Sequence, residues 1–194
     1  MRKTGLIIAA LCAAAPAFGQ TVDGDTARGE LFNLRGRSLQ IVDLPGIGEL
    51  ERKVLDAAAG QVVYYGAVAM APDQGLLAEA TVVAGDYHSA ADASAAAIRA
   101  CNGRRSGGAE CVVAALVLPA RYETRNITLS HNGTEGFRKE YRNARAPKAM
   151  AISPGTGKWA VSTGDGAADN ALASCNQQAM VVGGQADCRV AIAD

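Results

Sequence analysis

Apolar positions between residues 62 and 118 follow the order strand, strand, helix, strand. Two apolar runs, 62 to 71 and 76 to 84, flank the turn-forming sequence PDQG and are predicted to be β-strands. An alanine-rich segment follows, and Ser89 stands where the N-cap of a helix is expected. The run CVVAALVL at 111 to 118 has the length and the unbroken apolar character of a buried strand. This part of the chain is predicted to be a β-β-α-β unit.

The same order of segments recurs over residues 148 to 194. The stretch AVAMAPDQGLLAEAT from Ala67 aligns with AMAISPGTGKWAVST from Ala149, and both are followed by a Cys-Asn pair, a second cysteine and an apolar run. An internal repeat of this kind indicates two copies of one structural unit. The predicted fold class is α+β, with two β-β-α-β units that have antiparallel sheets and pack against each other.

The sequence SPGTGK in the second unit resembles a phosphate-binding loop at first sight. Such a loop needs a glycine five residues before its Gly-Lys pair, where Ile152 stands, and a hydroxyl residue after the lysine, where Trp159 stands. The repeat alignment instead places SPGTG opposite the turn PDQG. A hairpin turn is therefore predicted, and no nucleotide cofactor.

Two segments lie outside the repeats. Residues 20 to 61 contain a predicted strand in SLQIVDL and an amphipathic helix in IGELERKVLDAAA, which Gly60 would end. Residues 119 to 147 form a polar linker with six Arg and Lys residues against three glutamates, and the sequence HNGT within it predicts a hairpin turn. A basic excess of this kind is typical of a solvated face, and a docking surface for an acidic partner is the alternative.

Residues 1 to 19 have the pattern of a secretory signal peptide. Arg2 and Lys3 precede the apolar run GLIIAALCAAA, and small residues stand at the cleavage spacing before Gln20. The apolar run is too short for a stable membrane span, so no membrane insertion is expected after cleavage. The protein is predicted to be periplasmic or extracellular.

Composition narrows the classes of partner. Basic and acidic side chains number 19 each, and a chain without a basic excess does not fit a nucleic-acid-binding protein. Aromatic residues make up only 5% of the chain. The core is therefore expected to be built mainly from small apolar side chains.

Four cysteines remain after the predicted cleavage, and an even number in an exported chain indicates disulfides. In each unit one cysteine ends the helix and the other begins the closing strand, so the predicted pairs are Cys101–Cys111 and Cys175–Cys188. A zinc site is the alternative. The spacing within each pair is wider than in zinc motifs and no histidine is near, so no metal is predicted.

The segment YYGAVAMAPDQGLLAEA, the sequence RACN and the cysteine that follows resemble the bacterial family catalogued as domain of unknown function 4189. Tyr65, Gly66 and Ala67 carry the resemblance in the first unit, together with its two cysteines. In the second unit the resemblance is carried by Gly157, Trp159, Cys175 and Cys188, and PKAMAIS replaces the Tyr-Gly start. The resemblance implies a small exported domain with an Ala-rich helix that ends in a cysteine and a second cysteine before an apolar strand, and it implies no established activity.

His88 and Asp86 are the candidate catalytic residues, because a base and a carboxylate that orients it stand close together in GDYHSAAD. A structural role at the start of the helix is the simpler interpretation. His131 is placed in the predicted HNGT turn and is expected to be exposed. The chain has no Gly-x-Ser-x-Gly elbow and no His-Glu-x-x-His motif. A small envelope enzyme of the hydrolase type that uses His88 is the alternative function.

The loops that the two disulfides would close differ in character. The first presents Arg104 and Arg105, and the second presents Met180, Val181 and Val182. Exposed apolar residues in a tethered loop offer a contact surface, because the loop is ordered before it binds. The alternative is that the three apolar residues form a strand or fold inward. The predicted function is non-catalytic binding of a protein partner, with an inhibitor or immunity factor as one type.

Overall fold

The computed structural model describes residues 20 to 194 and has an α+β fold with two antiparallel sheets. The predicted signal peptide lies outside the described residues. The strands are β1 (Arg37–Ile41), β2 (Gly66–Met70), β3 (Val82–Ala84), β4 (Val112–Pro119), β5 (Lys148–Ile152), β6 (Trp159–Thr163) and β7 (Arg189–Ala193). The helices are α1 (Gly24–Glu30), α2 (Glu49–Ala59), α3 (Ala90–Asn102), α4 (His131–Gly136) and α5 (Ala167–Val181), and a π-helical turn (Phe137–Tyr141) continues α4. No helix of these residues is long and apolar enough to cross a membrane.

The predicted repeat is present in the topology. The first sheet has the strand order β1-β4-β2-β3, and the second has the order β6-β5-β7. If β1 is left aside, β2 is the central strand of the first sheet and lies between β4 and β3. In the same way, β5 is the central strand of the second sheet and lies between β7 and β6. The register shifts at Val68/Ala69 in β2 and at Met150/Ala151 in β5, which are equivalent positions in the alignment. The two units therefore share strand order, direction and the site of a β-bulge.

Both predicted disulfides form, and each has a Cα–Cα distance of 6.1 Å. The Cys-Asn pair that recurs in the sequence has a structural explanation. The side-chain oxygen of Asn102 accepts a hydrogen bond from the Cys111 N–H at 3.0 Å, and that of Asn176 accepts one from the Cys188 N–H at 3.0 Å. Each asparagine therefore joins the helix to the start of the closing strand beside the sulfur bridge.

Three element boundaries differ from the prediction, and the first is that of the strand expected over 62 to 71, which is only Gly66–Met70. The strand expected from residue 76 is only Val82–Ala84, because turns occupy most of the segment before it. Helix α5 continues to Val181, six residues beyond the expected end at residue 175. The predicted N-cap at Ser89 is confirmed, since its hydroxyl oxygen accepts from the Asp92 N–H at 3.0 Å.

The N-terminal segment supports the first unit. The predicted strand is β1, which pairs with β4, and the predicted amphipathic helix is α2. Leu55 of α2 is fully buried and packs in a cluster with Val68, Met70 and Ala114. Leu50, near the start of α2, is 66% exposed because the buried face of the helix carries Leu55 and Ala59.

The linker is part of the core of the second unit. The hairpin predicted at HNGT is wrong, because His131–Gly136 is α-helical and Ser130 caps it by accepting from the Gly133 N–H at 2.9 Å. Four apolar side chains of the linker are buried against β5 and β7: Ile127, Leu129, Phe137 and Tyr141. A Cβ atom on Gly136 would overlap the Trp159 ring, so the glycine allows close packing of the linker on β6.

Candidate functional site

His88 is buried where three separate parts of the chain meet. It is 1% exposed. Its Nδ1 atom accepts a hydrogen bond from the Ser130 N–H at 3.1 Å, so the proton of the neutral ring is on Nε2, which donates to the Lys158 carbonyl oxygen at 3.1 Å. Burial lowers the pKa of His88 to about 4. The imidazole is therefore neutral, and both of its nitrogens are used in hydrogen bonds that hold the fold together.

Asp86 does not orient His88. Its carboxylate accepts hydrogen bonds from the Asn132 N–H at 3.0 Å and from the Asn132 side-chain amide at 2.5 Å, at the start of α4. Burial raises the pKa of Asp86. A base and its orienting carboxylate must be hydrogen-bonded to each other, and here each has a different partner. The geometry therefore gives no support to the catalytic alternative.

These contacts form a central joint made of residues 86 to 88 of the first unit, 130 to 132 of the linker and 157 to 158 of the second unit. Gly157 has a φ of +72°, and a Cβ atom there would overlap the Asp86 carbonyl oxygen. The glycine of the predicted SPGTG turn is thus required both for the turn and for close approach of the two units. His131, expected to be exposed, is half-buried and hydrogen-bonded through Nε2 to the Leu34 carbonyl oxygen at 3.2 Å.

Lowering the pH from 7 to 4 is expected to reduce the free energy of unfolding through His88 by about 3 kcal/mol. The pKa of His88 is about 4 in the folded protein against 6.5 for an ordinary histidine, so only the unfolded chain binds a proton between these values. The contribution is fully present above pH 6.5 and is lost as the pH falls towards 4. Urea denaturation followed by circular dichroism at several pH values measures it.

The control for this prediction is His88→Gln, which keeps a donor for the Lys158 carbonyl oxygen but does not titrate. The raised pKa of Asp86 stabilises the folded protein as the pH falls, which opposes the effect of His88. Because wild type and His88→Gln both contain Asp86, its contribution cancels when the two are compared at the same pH. The difference in stability between wild type and variant should shrink as the pH falls. A difference that is constant from pH 7 to pH 4 would contradict the assignment of the pH effect to His88.

The two arginines of the first disulfide loop have different environments. Arg105 holds the loop itself, because its guanidinium donates to the carbonyl oxygens of Gly108 at 2.6 Å and Ala109 at 3.3 Å. Arg104 is exposed and has no hydrogen bond or ion pair of its side chain within residues 20 to 194. Of this predicted pair, Arg104 is the one available to a partner.

Met180, Val181 and Val182 are exposed, but they do not lie in a loop as expected. Met180 and Val181 form the last turn of α5, and Val182 is its C-cap. Their exposed fractions are 55%, 81% and 53%. The sequence alternatives of an extra strand or an inward fold are therefore wrong. These three residues, called the α5 end below, present consecutive apolar side chains to solvent.

A cleft of about 680 Å³ lies between the two units beside the α5 end. This volume is within the range of small-ligand sites. Val182 lines it, so the cleft and the α5 end are continuous. Its polar lining comes from both units: Tyr87, Arg99, Thr156, Lys158, Gln185 and Asp187. We refer to it as the inter-unit cleft.

The inter-unit cleft has no signature in the sequence, because Tyr87 and Arg99 precede the linker and Lys158 follows it. Only the packing of the two units brings these side chains together. No group of three or more His, Cys, Asp or Glu side chains suited to a metal ion occurs among residues 20 to 194.

The chain matches no family model, no curated protein and no solved structure. Membership of the family that the sequence resembles stays a prediction.

Proposed function

We propose that this protein is an exported, non-catalytic binding protein that recognises a protein partner through the α5 end. The observation that carries the proposal is the exposure of three consecutive apolar residues, Met180, Val181 and Val182, at the end of a helix. Single exposed apolar residues are common on protein surfaces, whereas a contiguous group beside a cleft is typical of an interaction site. The catalytic candidates His88 and Asp86, in contrast, are used within the fold.

The α5 end is held rigidly before any partner arrives. The helix carries the Cys175–Cys188 disulfide. At its end, the N–H of Gly183 donates to the Met180 carbonyl oxygen at 3.0 Å, and that of Gly184 donates to the Ala179 carbonyl oxygen at 2.9 Å. A surface that is already ordered loses little conformational entropy on binding. This supports a role in recognition.

The two disulfides support the compartment in this proposal. Disulfides persist in the periplasm and outside the cell, and they are rare in a reducing cytosol. They are thus consistent with an oxidising compartment, and the signal-type sequence of residues 1 to 19 points to the same place. We propose periplasmic or extracellular residence on this basis.

Replacing the exposed apolar surface is expected to weaken partner binding at least about tenfold, which corresponds to roughly 1.4 kcal/mol. The variant is the double substitution Met180→Gln and Val181→Gln, which changes no charge. Its matched control is Leu77→Gln, because Leu77 is 81% exposed, as Val181 is, but lies in the first unit. Wild type and both variants, immobilised at equal density, are incubated with periplasmic and culture-medium fractions of the native host, and bound proteins are quantified by mass spectrometry.

The proposal predicts a protein that is retained by wild type and Leu77→Gln and depleted on the double variant. The captured partner is then purified, and its affinity for wild type and for each variant is measured by calorimetry. Equal retention on all three proteins would exclude the α5 end as the binding surface. Equal loss on both variants would show nonspecific apolar adsorption and would also count against the proposal.

A further inference from the structure

The inter-unit cleft contains side-chain donors that have no acceptor within the described part of the chain. Arg99 and Lys158 line the cleft, and neither the Arg99 guanidinium nor the Lys158 ammonium forms a hydrogen bond or ion pair within residues 20 to 194. Tyr87 lines it too, and its phenol is protonated at neutral pH and able to donate, since burial raises its pKa further above the ordinary value of about 10. The cleft thus offers two positive charges and a phenolic O–H on the same side of the molecule.

The carboxylate that lines the cleft is already occupied. Asp187 accepts the Ser153 hydroxyl at 2.5 Å through Oδ1 and the Gly155 N–H at 2.7 Å through Oδ2. These bonds direct its oxygens to the β5–β6 turn. A ligand that supplies acceptor oxygens and negative charge would complement Arg99 and Lys158, which is the usual way in which proteins bind carboxylates.

The cleft continues into a groove on α5 that is lined by Val181 and Val182 and also by Gln177 and Gln178. Lys158 and Val182 line both the inter-unit cleft and a smaller pocket of about 270 Å³, to which Val181 also contributes. A free inorganic anion would fill only the charged part of this surface. A peptide segment with apolar residues next to a carboxylate matches both parts, because its apolar side chains can cover Val181 while its carboxylate reaches Lys158.

We infer that the inter-unit cleft binds a carboxylate of the partner, supplied by an acidic side chain or a C-terminus that follows apolar residues. Arg99 and Lys158 pair with the carboxylate, the Tyr87 hydroxyl donates to it, and the α5 end contacts the apolar residues. This inference rests on the function proposed above and adds the chemistry of the segment that is recognised.

The test is a titration of ¹⁵N-labelled protein at low ionic strength with three probes: N-acetyl-Leu-Val-Glu with a free C-terminus, N-acetyl-Leu-Val-Gln amide, and inorganic phosphate. The acidic peptide is expected to shift the backbone amides of residues 182 to 185 and the Arg99 side-chain signal. Its affinity should exceed that of the neutral peptide about tenfold and should fall as salt is added. Phosphate should shift the Arg99 signal without shifting Val181.

The double variant Arg99→Gln and Lys158→Gln is expected to bind both peptides equally weakly. The control variant, Arg35→Gln and Arg37→Gln, removes the same number of positive charges from exposed positions outside the cleft and should keep the preference for the acidic peptide. Dispersed amide spectra establish that each variant is folded. A preference that persists without Arg99 and Lys158, or one that is lost in both variants, would overturn the assignment.

The remaining outcomes are also decisive. Equal affinity for the acidic and neutral peptides in wild type would exclude a carboxylate site. Binding of phosphate as tight as that of the acidic peptide would show a site for free anions and would overturn the peptide assignment. If these titrations fail while the Met180→Gln, Val181→Gln variant still loses its natural partner, this inference fails and the proposed function stands. Retention of the partner by that variant would exclude the proposed function itself.

Discussion

Replacing all four bonded cysteines by alanine is expected to lower the free energy of unfolding by about 6 kcal/mol, the largest effect that we predict. The bridges join residues 10 and 13 positions apart. Loops of this size restrict the unfolded chain by about 3 kcal/mol each. Domains of ordinary stability have only about 5–15 kcal/mol in total, so the variant should be close to unfolding. Urea denaturation of the oxidised wild type and the variant, monitored by circular dichroism, gives the difference.

The two pairs can be separated by Cys101→Ala with Cys111→Ala and by Cys175→Ala with Cys188→Ala. Because the two units have the same topology and similar loop lengths, the two double variants should lose similar amounts of stability. A loss below about 1 kcal/mol for either pair would contradict the entropic argument for that bridge.

His88→Ala is expected to lower the free energy of unfolding by about 4 kcal/mol. The substitution leaves the Ser130 N–H and the Lys158 carbonyl oxygen without their partner in a buried site, at about 1–3 kcal/mol for each group. It also leaves a cavity that the packed joint cannot fill completely. Chemical denaturation at pH 7, where the wild-type imidazole is neutral, measures the loss.

Two conservative substitutions separate the contributions of the two His88 hydrogen bonds to stability. His88→Asn keeps an acceptor near the position of Nδ1 for the Ser130 N–H, and His88→Gln keeps a donor near the position of Nε2 for the Lys158 carbonyl oxygen. Each should recover part of the stability that His88→Ala loses. If alanine were tolerated within about 1 kcal/mol, the central joint would not depend on the imidazole, and this interpretation would be wrong.

The repeat made most of the fold predictable from the sequence. The apolar runs, the Ser89 cap and the spacing of the cysteines all report local geometry, and the alignment of the two units supported each of them. The end of α5 could also have been found, since no glycine or proline interrupts the sequence between Ala167 and Val182 and Gly183-Gly184 follows.

The linker and the candidate site could not be predicted in the same way. The apolar residues Ile127 and Leu129 alternate with polar ones in a segment rich in charged residues. The composition of this segment therefore predicted an exposed linker, although these two side chains are buried. His88 bonds to Ser130 and Lys158, which are 42 and 70 positions away, and hydrogen bonds over such separations leave no periodic pattern. The sequence likewise gives no sign that Arg99 and Lys158 line the same cleft, because they are far apart in the chain.

The asparagines beside the sulfur bridges bear on the order of events when the chain oxidises. Asn102 and Asn176 anchor the backbone of the partner cysteine by a bond that needs no sulfur chemistry. Native contacts can therefore bring each pair of thiols together while they are still reduced. Oxidation then links thiols that are already close together. Four cysteines can pair in 3 ways, and this order of events favours the native pairing over the other two.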